Sequence, residues 1–143
     1  MNILITGCSS GIGYFCAKKL KQDGHNVYAT CRDVSDVKKL QKEGLKSYKL
    51  DVRKSEDIKE ILPLILKDCE DKLDVLFNNA GYGQPGAVED IGKSALKEQF
   101  ETNVFGPQEL TNLVLPYMRN NGFGRIIYNS SVLGFISMAY RGA

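Results

Sequence analysis

Three glycines sit between an apolar run and an amphipathic run at the very start of the sequence, and this placement constrains the fold more than any other feature. Ile3-Leu4-Ile5 reads as a short buried strand. Thr6-Gly7-Cys8-Ser9-Ser10-Gly11-Ile12-Gly13 follows directly, and Ile12, Phe15, Cys16 and Leu20 then recur at the spacing of one helical face. Glycine lets a backbone turn sharply and lie close against a ligand. The first N–H groups of a helix have no partner within it, and with the helix dipole they favour an anion such as a pyrophosphate. A glycine-rich turn alone also fits an ordinary strand–helix connection; its position between a first strand and a first helix gives it weight.

The rest of the chain keeps the same alternation. Gly24 predicts a helix stop, and Val27 to Thr30 a second strand. Ser35 is expected to cap a helix ending at Gly44, and Lys46 to Leu50 to form a third strand. Ser55 is expected to cap a third helix with Ile58, Ile61, Leu62 and Ile65 on its buried face, which Pro63 interrupts or kinks. Leu73 to Phe77 reads as a fourth strand and Asn78 to about Gly92 as a glycine-rich loop. A long helix is expected from about Ser94 to Asn120, broken at Gly106-Pro107, then a fifth strand from Arg125 to Ser130. Val132 to Ala143 predicts no regular structure. Strand–helix alternation argues for one α/β domain over residues 1–143: a doubly wound parallel sheet with helices on both faces. Apolar runs such as Val75-Leu76-Phe77 suit strands covered on both sides.

Composition narrows the function classes. Nineteen basic and 17 acidic residues leave a net charge of +2, too balanced to argue for nucleic acid or an anionic membrane as partner. The four cysteines, Cys8, Cys16, Cys31 and Cys69, form no Cys-x-x-Cys pair, and His25 is the only histidine, so a zinc site is not expected. Reduced thiols and a cytoplasmic location are the simplest expectation. No apolar stretch reaches the roughly 20 residues a membrane span requires. Cys8, beside the glycines, reads as a small buried filler.

The spacing of Gly7, Gly11 and Gly13 departs from the common G-x-G-x-x-G and resembles the Thr-Gly-x-x-x-Gly-x-Gly of the short-chain dehydrogenase/reductase family. Further motifs follow in order: Asp51-Val52 after the third strand, Asn78-Asn79-Ala80-Gly81 after the fourth, Asn103 in Glu101-Thr102-Asn103-Val104-Phe105-Gly106, and Ser130-Ser131 after the fifth. The resemblance covers the whole chain. Its Thr6-to-Gly11 and Cys31-Arg32-Asp33 segments look like the hydroxysteroid/retinol dehydrogenase branch. It implies a Rossmann-like sheet in the order 3-2-1-4-5. It also implies cofactor contacts from Gly7, Ser9, Ser10, Gly11, Ile12, Gly13, Arg32, Asp51, Val52, Asn79, Ala80 and Gly81, and catalytic roles for Ser131 and Asn103. A carbonyl/alcohol substrate, weakly hinted to be hydrophobic, and a homo-oligomer are implied with it.

NADP(H) is expected over NAD(H). The end of the second strand, where an acid would bind the ribose hydroxyls, carries Cys31, and Arg32 follows it. The family's tyrosine follows its serine by roughly thirteen residues, with a lysine four later. Counted from Ser131, that lies just past Ala143, so the chain reads as the N-terminal portion, truncated before the motif and inactive alone. Tyr140 reads as a substrate-loop or core residue. Tyr82 and Gln84 are candidates for a substrate mouth. Two other readings remain open: a non-catalytic nucleotide-binding module, and a fragment with no independent role.

Overall fold

The computed structural model describes residues 1–143. Five parallel strands form one sheet: β1 (Asn2–Ile5), β2 (Asn26–Cys31), β3 (Lys46–Lys49), β4 (Val75–Asn78) and β5 (Arg125–Tyr128). Their order is β3-β2-β1-β4-β5, as expected from the resemblance. The chain first winds outward from β1 through β2 to β3, then returns to β4 on the other side of β1. Strand order therefore reverses between β1 and β4, and crevices at the carboxyl ends of such strands are where this architecture binds ligands.

The helices are α1 (Gly11–Gln22), α2 (Val34–Lys42), α3 (Ser55–Asp68), α4 (Lys93–Phe100) and α5 (Gly106–Asn120). They cover both faces of the sheet. One core packs Leu4, Tyr28 and Leu76 of the sheet against Ile58, Leu62 and Ile65 of α3 and Leu110 and Val114 of α5. The other packs Ile3, Ile5, Val27 and Ala29 against Ala17 of α1 and Val37 and Leu40 of α2. Fully burying such a side chain is worth about 1.5–3 kcal/mol, so this two-sided burial is what holds the sheet between its layers.

Helix ends follow the glycines. Gly24 and Gly44 both adopt positive φ just past α1 and α2. In each case the next N–H reaches back into the last turn, His25 to the Leu20 carbonyl and Leu45 to the Leu40 carbonyl, both at 3.0 Å.

Five local expectations are corrected. On α1, Ile12 and Phe15 are exposed; the face against the sheet is Gly13, Cys16, Ala17 and Leu20. α2 begins after Asp33 rather than Ser35, which lies inside it. α3 begins after Lys54; Ser55 is its first residue, and its hydroxyl donates to Glu109 Oε2 of α5 at 2.7 Å instead of capping. α3 also continues through Pro63 rather than being interrupted there; the ring is exposed, and the exposed turn at Lys59 carries the carbonyl that loses its helical partner. The long fourth helix is broken, but by a single π turn over Glu101–Phe105 that separates α4 from α5 just ahead of Gly106-Pro107.

Candidate functional site

The carboxyl ends of β1 and β4 are fastened to one another by Thr6 and Asn79. Thr6 Oγ1 accepts from the main-chain N–H groups of Asn79 and Ala80, both at 3.0 Å. Asn79 Nδ2 donates to the Thr6 and Gly7 carbonyls at 2.9 and 3.0 Å, and Asn129 Nδ2 donates to Asn79 Oδ1 at 3.0 Å. On the other side, the Cys8 N–H donates to the Thr30 carbonyl at 2.9 Å. The turn after β1 is thus held from both neighbouring strands.

Glycine is required at two places in this turn. Gly7 has φ +70°, and a Cβ there would stand 2.7 Å from the Ala80 Cα. A Cβ on Gly13 would stand 2.4 Å from both the Gly7 carbonyl oxygen and Asn79 Nδ2. The bare backbone lets α1 start directly against the strand ends. Ser10 precedes α1 without a side-chain hydrogen bond to it, and no acidic residue occupies its first turn. The leading N–H groups of α1 are therefore left to an external acceptor.

In front of this turn lies a cleft of about 680 Å³. Gly7, Ser9, Ser10 and Ile12 form its floor, Arg32, Asp33 and Asp36 one wall, and Asp51, Val52 and Arg53 another. Asn79, Ala80 and Gly81 continue the wall from β4, and Tyr82, Gln84 and Thr102 close it. Tyr82 and Gln84 thus border this cleft rather than a separate mouth, although Tyr82 reaches the next cavity too. Cys31 is buried at the end of β2, with its thiol pushed up to about 11 by burial first and by Asp36 second. Arg32 is exposed, and its nearest anion is Asp33 at 3.9 Å.

Asp51 is buried, yet its carboxyl is held below the usual carboxylate range. The cause is Arg53: Nε lies 2.9 and 3.2 Å from the two carboxylate oxygens and Nη2 lies 2.7 Å from Oδ2. The Arg53 main-chain N–H adds a fourth bond at 3.1 Å. Nothing in the linear pattern singled out Arg53; its role depends on the burial of its partner.

A second cavity of about 480 Å³ adjoins the first through Asn79, Ala80, Gly81 and Tyr82, and is lined further by Asn103, Pro107, Tyr128, Asn129 and Ser131. The Asn103 amide clamps the loop after β4, accepting from the Tyr82 N–H at 3.1 Å and donating to the Tyr82 carbonyl at 2.8 Å. Ser131 Oγ accepts from the Leu133 N–H at 3.1 Å, so its own proton remains available. The structure brings Ser131 and Asn103 to one cavity, and Gly7, Ser9, Ser10, Ile12, Arg32, Asp51, Val52, Asn79, Ala80 and Gly81 to the other or to their shared wall. Gly11 and Gly13 shape the turn beneath. Tyr140 borders neither cavity. A Tyr-x-x-x-Lys spacing does occur at Tyr14 and Lys18, but Tyr14 donates to Glu43 at 2.8 Å and borders neither cavity.

A glycine turn fastened at the reversal point of a 3-2-1-4-5 parallel sheet, opening on a cleft over a free helix start, defines a Rossmann-type α/β protein. Within that class, the family model described as short chain dehydrogenase matches residues 1–143, and the chain belongs to that family. It is 39% identical to the Escherichia coli protein "Uncharacterized oxidoreductase YbbO" over 99% of this chain and 53% of that one. It is 34% identical to human 17-beta-hydroxysteroid dehydrogenase type 1 over 96% of this chain and 45% of that one. The solved closed form of serine dehydrogenase complexed with NADP+ superposes with a TM-score of 0.91 at 30% identity, covering 98% of this chain and 58% of that structure. The chain spans about half the length of the curated relatives it matches.

Proposed function

We propose that this chain binds NADP(H) in the cleft at the β1–β4 reversal and belongs to an oxidoreductase acting on a carbonyl/alcohol pair. The observation that carries the reading is the bare, fastened backbone at Gly7 and Gly13, which fits a pyrophosphate lying against it. When bound, the cofactor supplies or accepts the hydride; the chain supplies position. Ser9, Ser10, Gly11 and Ile12 offer the unpaired N–H groups of the helix start. Asp51 and Val52 wall the far end, and Asn79, Ala80 and Gly81 border the passage to the second cavity.

In that second cavity the Ser131 hydroxyl is free to donate to a carbonyl oxygen, and Asn103 fixes the loop that separates the two cavities. The relatives described as hydroxysteroid and retinol dehydrogenases support a hydrophobic alcohol or ketone as substrate. Neither cavity wall carries a tyrosine paired with a lysine. General acid–base catalysis contributes about 10²–10⁴-fold, so these 143 residues alone bind cofactor and turn it over poorly.

The preference for NADP(H) rests on Arg32, whose guanidinium suits a 2′-phosphate bidentately, and on Cys31 standing where an acid would reject one. Asp33 and Asp36 on the same wall favour the competing reading, in which a carboxylate takes the ribose hydroxyls of NAD(H). Fluorescence titration with NADPH and NADH separates the two. Tighter NADPH binding is expected, and Arg32→Ala should weaken it by roughly tenfold while sparing NADH. Equal or tighter NADH binding, or an unchanged Arg32→Ala variant, contradicts the assignment.

A further inference from the structure

One cation stands beside the second cavity without a partner. That cavity holds Ser131 and is lined by the amides and hydroxyls of Asn78, Gln99, Asn103, Asn129 and Ser130, and none of its lining side chains is charged. Arg141 reaches its rim: a Cβ on Gly83, which lines the cavity, would stand 3.2 Å from Arg141 Nη1. Unlike Arg32 and Arg53, Arg141 takes part in none of the ion pairs of the chain. Its five guanidinium N–H groups are left to an external acceptor.

An unpaired arginine is ordinary on a protein surface, but the backbone here holds this one in place. Met138 to Arg141 form a turn in which the Arg141 N–H donates to the Met138 carbonyl at 3.2 Å. The third residue of that turn, Tyr140, has φ +60°, a conformation usually left to glycine or asparagine and strained for a tyrosine. The loop after β4 secures it. The Gly86 N–H donates to the Tyr140 carbonyl at 3.0 Å, and Gly86 forms a parallel bridge with Arg141. Strained backbone persists only where its surroundings over-determine it, and it gathers at ligand sites. This turn brings Arg141 back against the loop that carries Tyr82 and Gly83.

We propose that Arg141 binds a carboxylate of the substrate, so that the alcohol or ketone met by Ser131 is a hydroxy acid or an oxo acid. A planar cation with free donors takes a carboxylate through two parallel hydrogen bonds, and no lining side chain of the cavity offers a rival charge. The substrate is then held at two points, its carbonyl oxygen by Ser131 and its acid group by Arg141. Two fixed contacts select one orientation, which is what hydride transfer requires. The carbon between the two ends is free to be apolar. This rests on the oxidoreductase reading above and narrows its substrate class; Arg141 acts on specificity and does not touch the reacting carbonyl.

The test compares acids with their own esters. Isotope-labelled full chain saturated with NADP+ is titrated with 4-oxopentanoate, 5-oxohexanoate and 6-oxoheptanoate, and with the methyl ester of each. NMR follows the Ser131 amide and the Arg141 Nε–H together. The best of the three acids should move both signals and bind roughly tenfold tighter than its ester. Arg141→Gln should bring that acid to within about twofold of the ester, and Arg141→Lys, which keeps the charge and loses the fork, should restore part of the difference. Acid and ester binding alike, or a preference that survives Arg141→Gln, overturns the proposal. So does a loss in Arg141→Gln that Arg141→Lys does not partly recover, which marks a structural role. Acetate that moves the Arg141 Nε–H as strongly as the oxo acids, with Ser131 still in every case, means an adventitious ion only and overturns it too. NADP+ binding without preference for the acids refutes this inference alone; a chain that binds no NADP+ refutes the cofactor reading and this inference with it.

Discussion

At the scale of single residues, the site is set by how burial and charge compete. Removing the Asp51 carboxylate from water disfavours its ionised form, whereas the Arg53 guanidinium favours it, and the hydrogen bonds prevail. A carboxyl whose pKa is lowered in the folded state contributes stability above its unfolded pKa, near 3.9, and loses it as pH falls through the folded value. Stability should therefore decline as pH drops below about 4, and Asp51→Asn should flatten that part of the profile. Denaturant unfolding from pH 6 downward measures both; identical slopes for the variant and wild type would remove Asp51 from the account. The thiols show the opposite case. Burial pushes Cys8 up to about 12 with nothing strong enough to offset it, which keeps the thiol within the glycine turn protonated.

At the scale of elements, the π turn between α4 and α5 does the positioning. Its extra residue falls at Glu101–Phe105, where Asn103 bonds the Tyr82 backbone in both directions. In a regular α-helix the Asn103 carbonyl would need the N–H of residue 107, and Pro107 has none. A wider turn accommodates that gap, and such turns commonly mark functional sites. Asn103→Ala should cost about 1–2 kcal/mol in stability and speed hydrogen exchange at the Tyr82 amide first. Unchanged exchange there would show that the clamp does not hold the loop. Element order and helix ends were legible because apolar runs and glycine stops are local signals. The inner face of α1 was not, because close approach to the strands requires small Gly13 and Ala17, which carry little hydrophobic signal, while Ile12 and Phe15 carry a strong one and stay outside. The beginning of α3 was misread because Ser55 spends its hydroxyl on Glu109, a partner 54 positions away. Most site positions could be named from the motif, but the state of Asp51 could not. Arg53 matters only once the fold buries its neighbour.

At the scale of the whole molecule, the sheet has two edge strands, β3 with exposed Lys46 and Lys49, and β5 with exposed apolar residues. β5 ends the strand order, and Ile127 and Tyr128 are exposed on it. Phe135, Ile136 and Met138 extend the exposed apolar surface beyond that strand. An unpaired apolar edge favours pairing with another copy. Sedimentation velocity should show concentration-dependent association at micromolar protein, reduced by Ile127→Lys; a stable monomer across that range would contradict this. The central claim, however, is the placement of NADP(H) over the glycine turn at the β1–β4 reversal. Amide resonances of the isotope-labelled chain, followed by NMR as NADPH is added, test it most directly. The account predicts the largest shifts at Gly7, Ser9 to Gly13, Arg32, Asp51 to Arg53 and Asn79 to Gly81, with the α3 surface silent. Saturating NADPH that leaves the glycine turn unshifted, or that shifts residues away from this cleft instead, would contradict it.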